Sequence, residues 1–152
     1  MQAPRRRKIR YTQREMYAKL AGFREVEHTA DWELHVWAPD LPELLRQAAR
    51  GMYTLSHTQL APGPRLEREF AFPFSDPEAL IVDFLSELLF YGEDEGIGFD
   101  EVQVELTGST CKFRVCGSPI EAQSKEIKAV TFHGLEVRET GKGLEANIVF
   151  DV

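Results

Sequence analysis

Two tight glycine turns in the second half of the chain restrict its fold more than any other feature. Gly108-Ser109 and Gly141-Lys142-Gly143 each fall between short segments in which apolar and polar residues alternate. A turn that short joins antiparallel neighbours, whereas parallel strands need a crossover of a dozen residues or more. Before the first turn, Val102, Val104 and Leu106 alternate with Glu101, Gln103 and Glu105, and Cys111 to Cys116 follows it. After the second, Leu144, Ala146, Ile148 and Phe150 alternate with Glu145, Asn147 and Asp151. A period of two sends one set to a core and the other to solvent. Glu126 to Val137 is expected to form one further strand.

The first half supplies two helices between strands. Asp40 stands where a helix cap belongs, with Glu43 three residues on to complete a capping box. Leu41, Leu44, Leu45, Ala48, Ala49, Met52 and Leu55 then recur at three- and four-residue steps, one buried stripe. Ser75-Asp76-Pro77-Glu78 opens the second helix, with proline in the first turn where its missing N–H costs nothing. Leu80, Ile81, Phe84, Leu85, Leu88 and Leu89 form its core stripe, and Gly92 is expected to end it. Glu93-Asp94-Glu95-Gly96 then reads as a solvated acidic turn, because a calcium loop with its glycine at Gly96 would need an acid where Tyr91 stands. Strands are expected over Gly22 to Glu27, over Trp32 to Trp37, and from Leu66 to Phe74 with Phe70, Phe72 and Phe74 on one face. The predicted fold class is α+β, a single domain with two α-helices packed on a mainly antiparallel β-sheet. Residues 22–152 make up that domain, and residues 1–21 a basic N-terminal extension.

Charge and cysteine usage limit the function classes. Residues 1–20 carry seven basic side chains and one acidic, whereas the remaining 132 carry 11 basic and 24 acidic. An acidic body argues against direct RNA binding, which needs a basic face, and suits docking on a basic protein surface. No apolar run has the length of a transmembrane helix, and no apolar segment follows the N-terminal basic residues as it would in a secretory signal. A cytoplasmic location without membrane contact is the expectation. Cys111 and Cys116 lie five apart in one predicted strand, on opposite faces, so they neither pair as a disulfide nor match zinc spacing.

The chain has no phosphate-binding glycine loop, no Gly-x-Ser-x-Gly elbow and no metalloprotease helix motif, and Ser86 has no base beside it. Candidate chemistry centres on Glu27-His28-Thr29-Ala30-Asp31, five residues holding two acids, an imidazole and a hydroxyl just ahead of a strand. Asp31 would then share a face with Glu33, His35 and Trp37. Asp151, the penultimate residue, ends an apolar strand that would hold it rigidly. Two carboxylates brought together repel unless a cation sits between them, and oxygen ligands favour Ca²⁺ or Mg²⁺ with water completing the shell. Each is also readable as an exposed acid at a turn or strand end. Lys128 offers a point charge for phosphate or an acidic partner, or a plain ion pair with Glu126. His133, His35 and His57 read first as structural histidines.

Taken together, several stretches resemble the archease family. They are His28-Thr29-Ala30-Asp31 with Leu34-His35-Val36-Trp37, the helix Leu41-Pro42-Glu43-Leu44 with Ala48, Ala49, Gly51 and Met52, and Leu80 to Leu89. Glu126 to Leu135 and Phe150-Asp151-Val152 match as well, so the resemblance spans about residues 22–152. It implies an accessory protein, not an enzyme, for RtcB-type RNA ligases of tRNA splicing and RNA repair. Such a protein promotes GTP-dependent guanylylation of the ligase and its repeated turnover, meeting GTP only within the ligase site. The resemblance assigns metal binding to Asp31 and Asp151, with a divalent ion of the Ca²⁺ or Mg²⁺ class, and a role in activating the partner to Lys128 and Asp151. The segment Ser118 to Lys125, read as a connection, looks short for the family. Two other readings stand beside this one, a chaperone-like protein and a stand-alone metal-dependent phosphohydrolase.

Overall fold

The computed structural model describes residues 19–27 and 31–152. Residues 1–18, with most of the basic extension, and His28-Thr29-Ala30 lie outside the described residues. Eleven elements follow in order: β1 (Gly22–Val26), β2 (Trp32–Ala38), α1 (Leu41–Leu55), β3 (Gln59–Leu60), β4 (Leu66–Pro73), α2 (Pro77–Glu95), β5 (Ile97–Thr107), β6 (Thr110–Ala122), β7 (Ala129–Thr131), β8 (Arg138–Thr140) and β9 (Gly143–Asp151). Every strand pairing among the described residues is antiparallel. Among the described elements the fold is α+β with two helices, as the alternation and tight turns require, but its strands divide into two sheets.

The first sheet runs β1-β2-β9-β7, with β8 also paired to β9. β7 and β8 share one edge of β9, β8 against its start at Gly143–Glu145 and β7 against its end at Val149–Asp151. In the second sheet β6 is flanked by β5 and by β4, with the two-residue β3 also on β6. The apolar faces meet around the helices. Leu34, Val36, Ala146, Ile148 and Phe150 of the first sheet join Leu44, Leu45, Ala48 and Met52 of α1 and Phe84, Leu85 and Leu88 of α2 in one core. Phe84 stacks on Phe113 of β6 at 4.4 Å, which ties α2 to the second sheet. Burying a ring of this size stabilises by about 2–3 kcal/mol.

Asp40 and Asp76 cap the two helices as the sequence directs. Asp40 accepts a hydrogen bond from the Glu43 N–H at 2.9 Å, and Asp76 accepts one from the Ala79 N–H at 2.7 Å. The Glu43 carboxylate itself accepts from Arg46 and Gln47.

Three connections differ from the sequence reading. α2 continues through Gly92 to Glu95 and ends at Gly96, whose φ of 67° is the left-handed conformation a helix stop requires. Glu93, Asp94 and Glu95 are therefore its last turn, where acidic charge opposes the helix dipole; Arg68 meets Glu95 at 2.9 Å and holds its carboxyl below the usual glutamate range. Glu126 to Val137 is not one strand. Its apolar residues Ile127 and Val130 stand three apart, off the period of a strand, and the chain turns at Gly134 after only Ala129–Thr131. Ser118–Ala122 is not a linker either but the far end of β6, paired with β3 and β5.

Candidate functional site

The pairing of β2 with β9 decides where the two acids lie. Trp32 is opposite Phe150, and the register descends from there to Ala38 opposite Leu144. Asp31 directly precedes Trp32 and Asp151 directly follows Phe150, so both acids lie at the same end of the β2–β9 pair, Asp31 in a bend one residue beyond the last paired position. Both acids are exposed, and among the described residues neither side chain has a hydrogen bond or an ion pair. Two carboxylates brought within about 4 Å of each other repel by on the order of 1 kcal/mol in water.

The third strand of the rim brings Lys128. Ala129 pairs with Asp151, and the Lys128 N–H donates to the Asp151 carbonyl at 2.8 Å. Asp31, Asp151 and Lys128 are 120 positions apart at the extremes, yet three adjacent strands, β2, β9 and β7, collect them at one end of one sheet. Lys128 also lines a cavity of about 270 Å³ at the C-terminal ends of the two helices, with Ser56, Leu88, Gly92 and Lys125. Beside it, the Lys125 ammonium sits 4.6 Å above the Trp32 ring. That second lysine at the rim carries no motif in the sequence; only the fold brings it to Trp32.

The remaining candidates scatter. Glu126 is exposed and makes no ion pair with Lys128 among the described residues. His35 is held further down the same face, its Nδ1 3.0 Å from Asn147 Oδ1 and its Nε2 3.9 Å from Glu145, and it serves the sheet. His133 and His57 are exposed rather than packed, with His57 at φ 51° just past α1. Among the described residues no three His, Cys, Asp or Glu side chains converge as a ready metal cage. The donor set at the rim is thus two hard oxygen donors, open to water. It suits a Ca²⁺- or Mg²⁺-class ion that keeps several waters, and does not suit zinc, which wants nitrogen and sulfur.

The class of protein follows from this arrangement: among the described residues, an α+β domain of two antiparallel sheets and two helices, with Asp151 at the end of its last strand. Residues 23–152 match the archease protein family (MTH1598/TM1083). Protein archease of Methanosarcina mazei is 32% identical over 139 residues, covering 84% of this chain and 93% of that one. Protein archease of Methanopyrus kandleri is 31% identical, covering 82% and 96%. Among solved structures, Methanobacterium thermoautotrophicum protein 1598 superposes with a TM-score of 0.65 at 26% identity, over 86% of this chain and 99% of that one. A Thermotoga maritima protein described as an archease and possible chaperone also gives 0.65, at 24% identity over 85% and 96%. The chain belongs to the archease family.

Proposed function

We propose that this protein is an accessory factor of an RtcB-type RNA ligase, promoting GTP-dependent guanylylation of the ligase and its multiple turnover in tRNA splicing and RNA repair. The observation that carries the reading is the register of β2, β9 and β7, which gathers Asp31, Asp151 and Lys128 at one rim in a chain of the archease family. In this reading Asp31 and Asp151 hold a divalent ion of the Ca²⁺ or Mg²⁺ class. When bound, such an ion neutralises charge on triphosphate oxygens. The part of this chain is to present that charge from a strand end: Asp151 is held by its pairing with Ala129 of β7, which keeps its backbone in place when the rim meets the nucleotide site of the ligase. Lys128, at the same end of the sheet, contributes a compact positive charge of the kind that steers a phosphate. The protein performs no bond-making step of its own, and its place of work is the cytoplasm, with the ligase.

The test is guanylylation of a cognate RtcB-type ligase with GTP, with and without substoichiometric amounts of this protein. The expected result is that each molecule of protein promotes guanylylation of many ligase molecules, and that Asp151→Asn loses this stimulation while keeping a native circular dichroism spectrum. Equal guanylylation with and without the protein would sink the reading. Release of phosphate from GTP by the isolated protein would favour the phosphohydrolase instead.

A further inference from the structure

We infer that the basic segment before Lys19 docks on the outer face of the first sheet, which makes it a working part of the domain. Both described helices pack on the other face, where Leu34, Val36, Ala146, Ile148 and Phe150 join the core. Alternation turns Glu33, His35 and Trp37 of β2 outward, and their cross-strand partners Val26, Asn147 and Val149 turn outward with them. A sheet face left to water carries polar, exposed side chains. This one does not conform. Val149 is only 7% exposed, and among the described residues it is the one buried hydrophobic side chain that lies outside the core. Its partners Glu33 and Thr131 flank it in the plane of the sheet and do not lie over it. His35 and Trp37 on the same face are half-buried, with their rings 5.5 Å apart. A valine shut off from water on the outward side of a sheet needs a cover.

Where the described chain begins identifies that cover. Lys19 and Leu20 line a cavity of about 230 Å³ with His35, Trp37 and Glu145, so the chain enters on this face. Eighteen residues precede Lys19. Even at the rise of a helix they reach about 27 Å, against about 13 Å along β2 from Trp37 to Glu33. They offer Ile9, Tyr11, Met16 and Tyr17 to the apolar patch, and six basic side chains against Glu15 alone. The face is acidic at its rim end. Glu33 and Asp151 point outward there, with the exposed Glu27 and Asp31 beside them, against Arg24. The other bases near this sheet are placed elsewhere. Arg138 is held by Glu145 and Asn147, Lys19 and Lys142 stand at the opposite end, and Lys125 and Lys128 line the cavity on the helix side. A segment running from Trp37 toward the rim therefore meets apolar groups first and carboxylates last, the order in which its own apolar residues and its Arg5-Arg6-Arg7-Lys8 run occur.

The experiment follows labelling of Val149→Cys by a disulfide reagent in a Cys116→Ser background, with the buried Cys111 as the monitor of global opening. Two changes are compared with the full chain. One removes residues 1–18 and keeps the whole stretch that matches the family; the other is the full-length double variant Ile9→Asp/Met16→Asp. Both are expected to speed labelling of Val149→Cys tenfold or more while Cys111 stays slow, the pattern of a local cover lifted from an intact domain. Should the shortened chain expose Cys111 as well, the double variant decides. Equal labelling with and without the segment overturns the inference and assigns the cover to the turn that joins β1 to β2. Fast labelling in the full chain overturns it too. Labelling that quickens when the full chain is diluted would assign the cover to a second copy, which also overturns it.

Discussion

At the scale of single residues, the two cysteines show how one strand gives like residues unlike chemistry. Cys111 faces the core of the second sheet and is fully buried, and burial pushes its thiol above the ordinary range. Cys116, five residues on, lies on the opposite face, half-exposed, with the Arg65 guanidinium 3.5 Å from its sulfur. The native protein is therefore expected to release one equivalent of chromophore promptly with a disulfide reagent at pH 8, from Cys116, and the second only in denaturant. Two fast thiols would contradict the burial of Cys111. Tyr53 is a second residue whose surroundings set its chemistry: burial raises its phenol well above the ordinary tyrosine value, so it stays protonated wherever the fold survives.

At the scale of elements, the contact between α1 and β2 turns on one glycine. Gly51 lies inside α1, where propensity alone favours alanine by about 1 kcal/mol. A Cβ there would run into the side chain of Leu34, which is fully buried. Packing outweighs propensity at this position. Gly51→Ala is expected to destabilise the domain by roughly 1–3 kcal/mol, the range for overpacked cores; denaturant unfolding measures it, and an unchanged or raised midpoint would show that Leu34 has another rotamer to adopt. The same competition between local signals and context explains α2. Gly92 looks like a stop in the sequence, but the helix passes through it and stops where Gly96 takes a positive φ.

At the scale of the whole molecule, the rim is a product of topology. Asp31 and Asp151, far apart in the chain, are both exposed at one end of the first sheet with no side-chain partner among the described residues, so a cation held by both would stabilise the fold as well as the site. Ca²⁺ or Mg²⁺ at about 100 times its Kd is expected to add about 2.7 kcal/mol. For a chain of this size that raises Tm by roughly 5–10 °C. Asp31→Asn and Asp151→Asn are expected to lose this shift and, in chelator, to melt at or slightly above the wild-type temperature because like-charge repulsion is relieved. Scanning calorimetry with each ion and with chelator decides it. A wild type indifferent to both ions would remove the cation from the proposed function.

The sequence by itself determined what depends on near neighbours along the chain. Asp40 and Asp76 cap the helices, Leu80 to Leu89 supply one apolar stripe, and the Gly108 and Gly143 turns enforce antiparallel pairing, because each acts over three or four residues. The alternation of Leu144 to Asp151 likewise fixed which residues of β9 face the core, and the motifs that resemble the family singled out Asp31, Lys128 and Asp151. Tertiary structure alone decided the rest. Splitting the strands into two sheets, extending β6 through Ser118–Ala122 and ending β7 after three residues all depend on which distant strand offers a free edge. So does the rim. Asp31 and Asp151 come to the same end of one sheet only because β2 and β9 pair in this register, and a slip of one residue would turn every side chain of β9 to the other face.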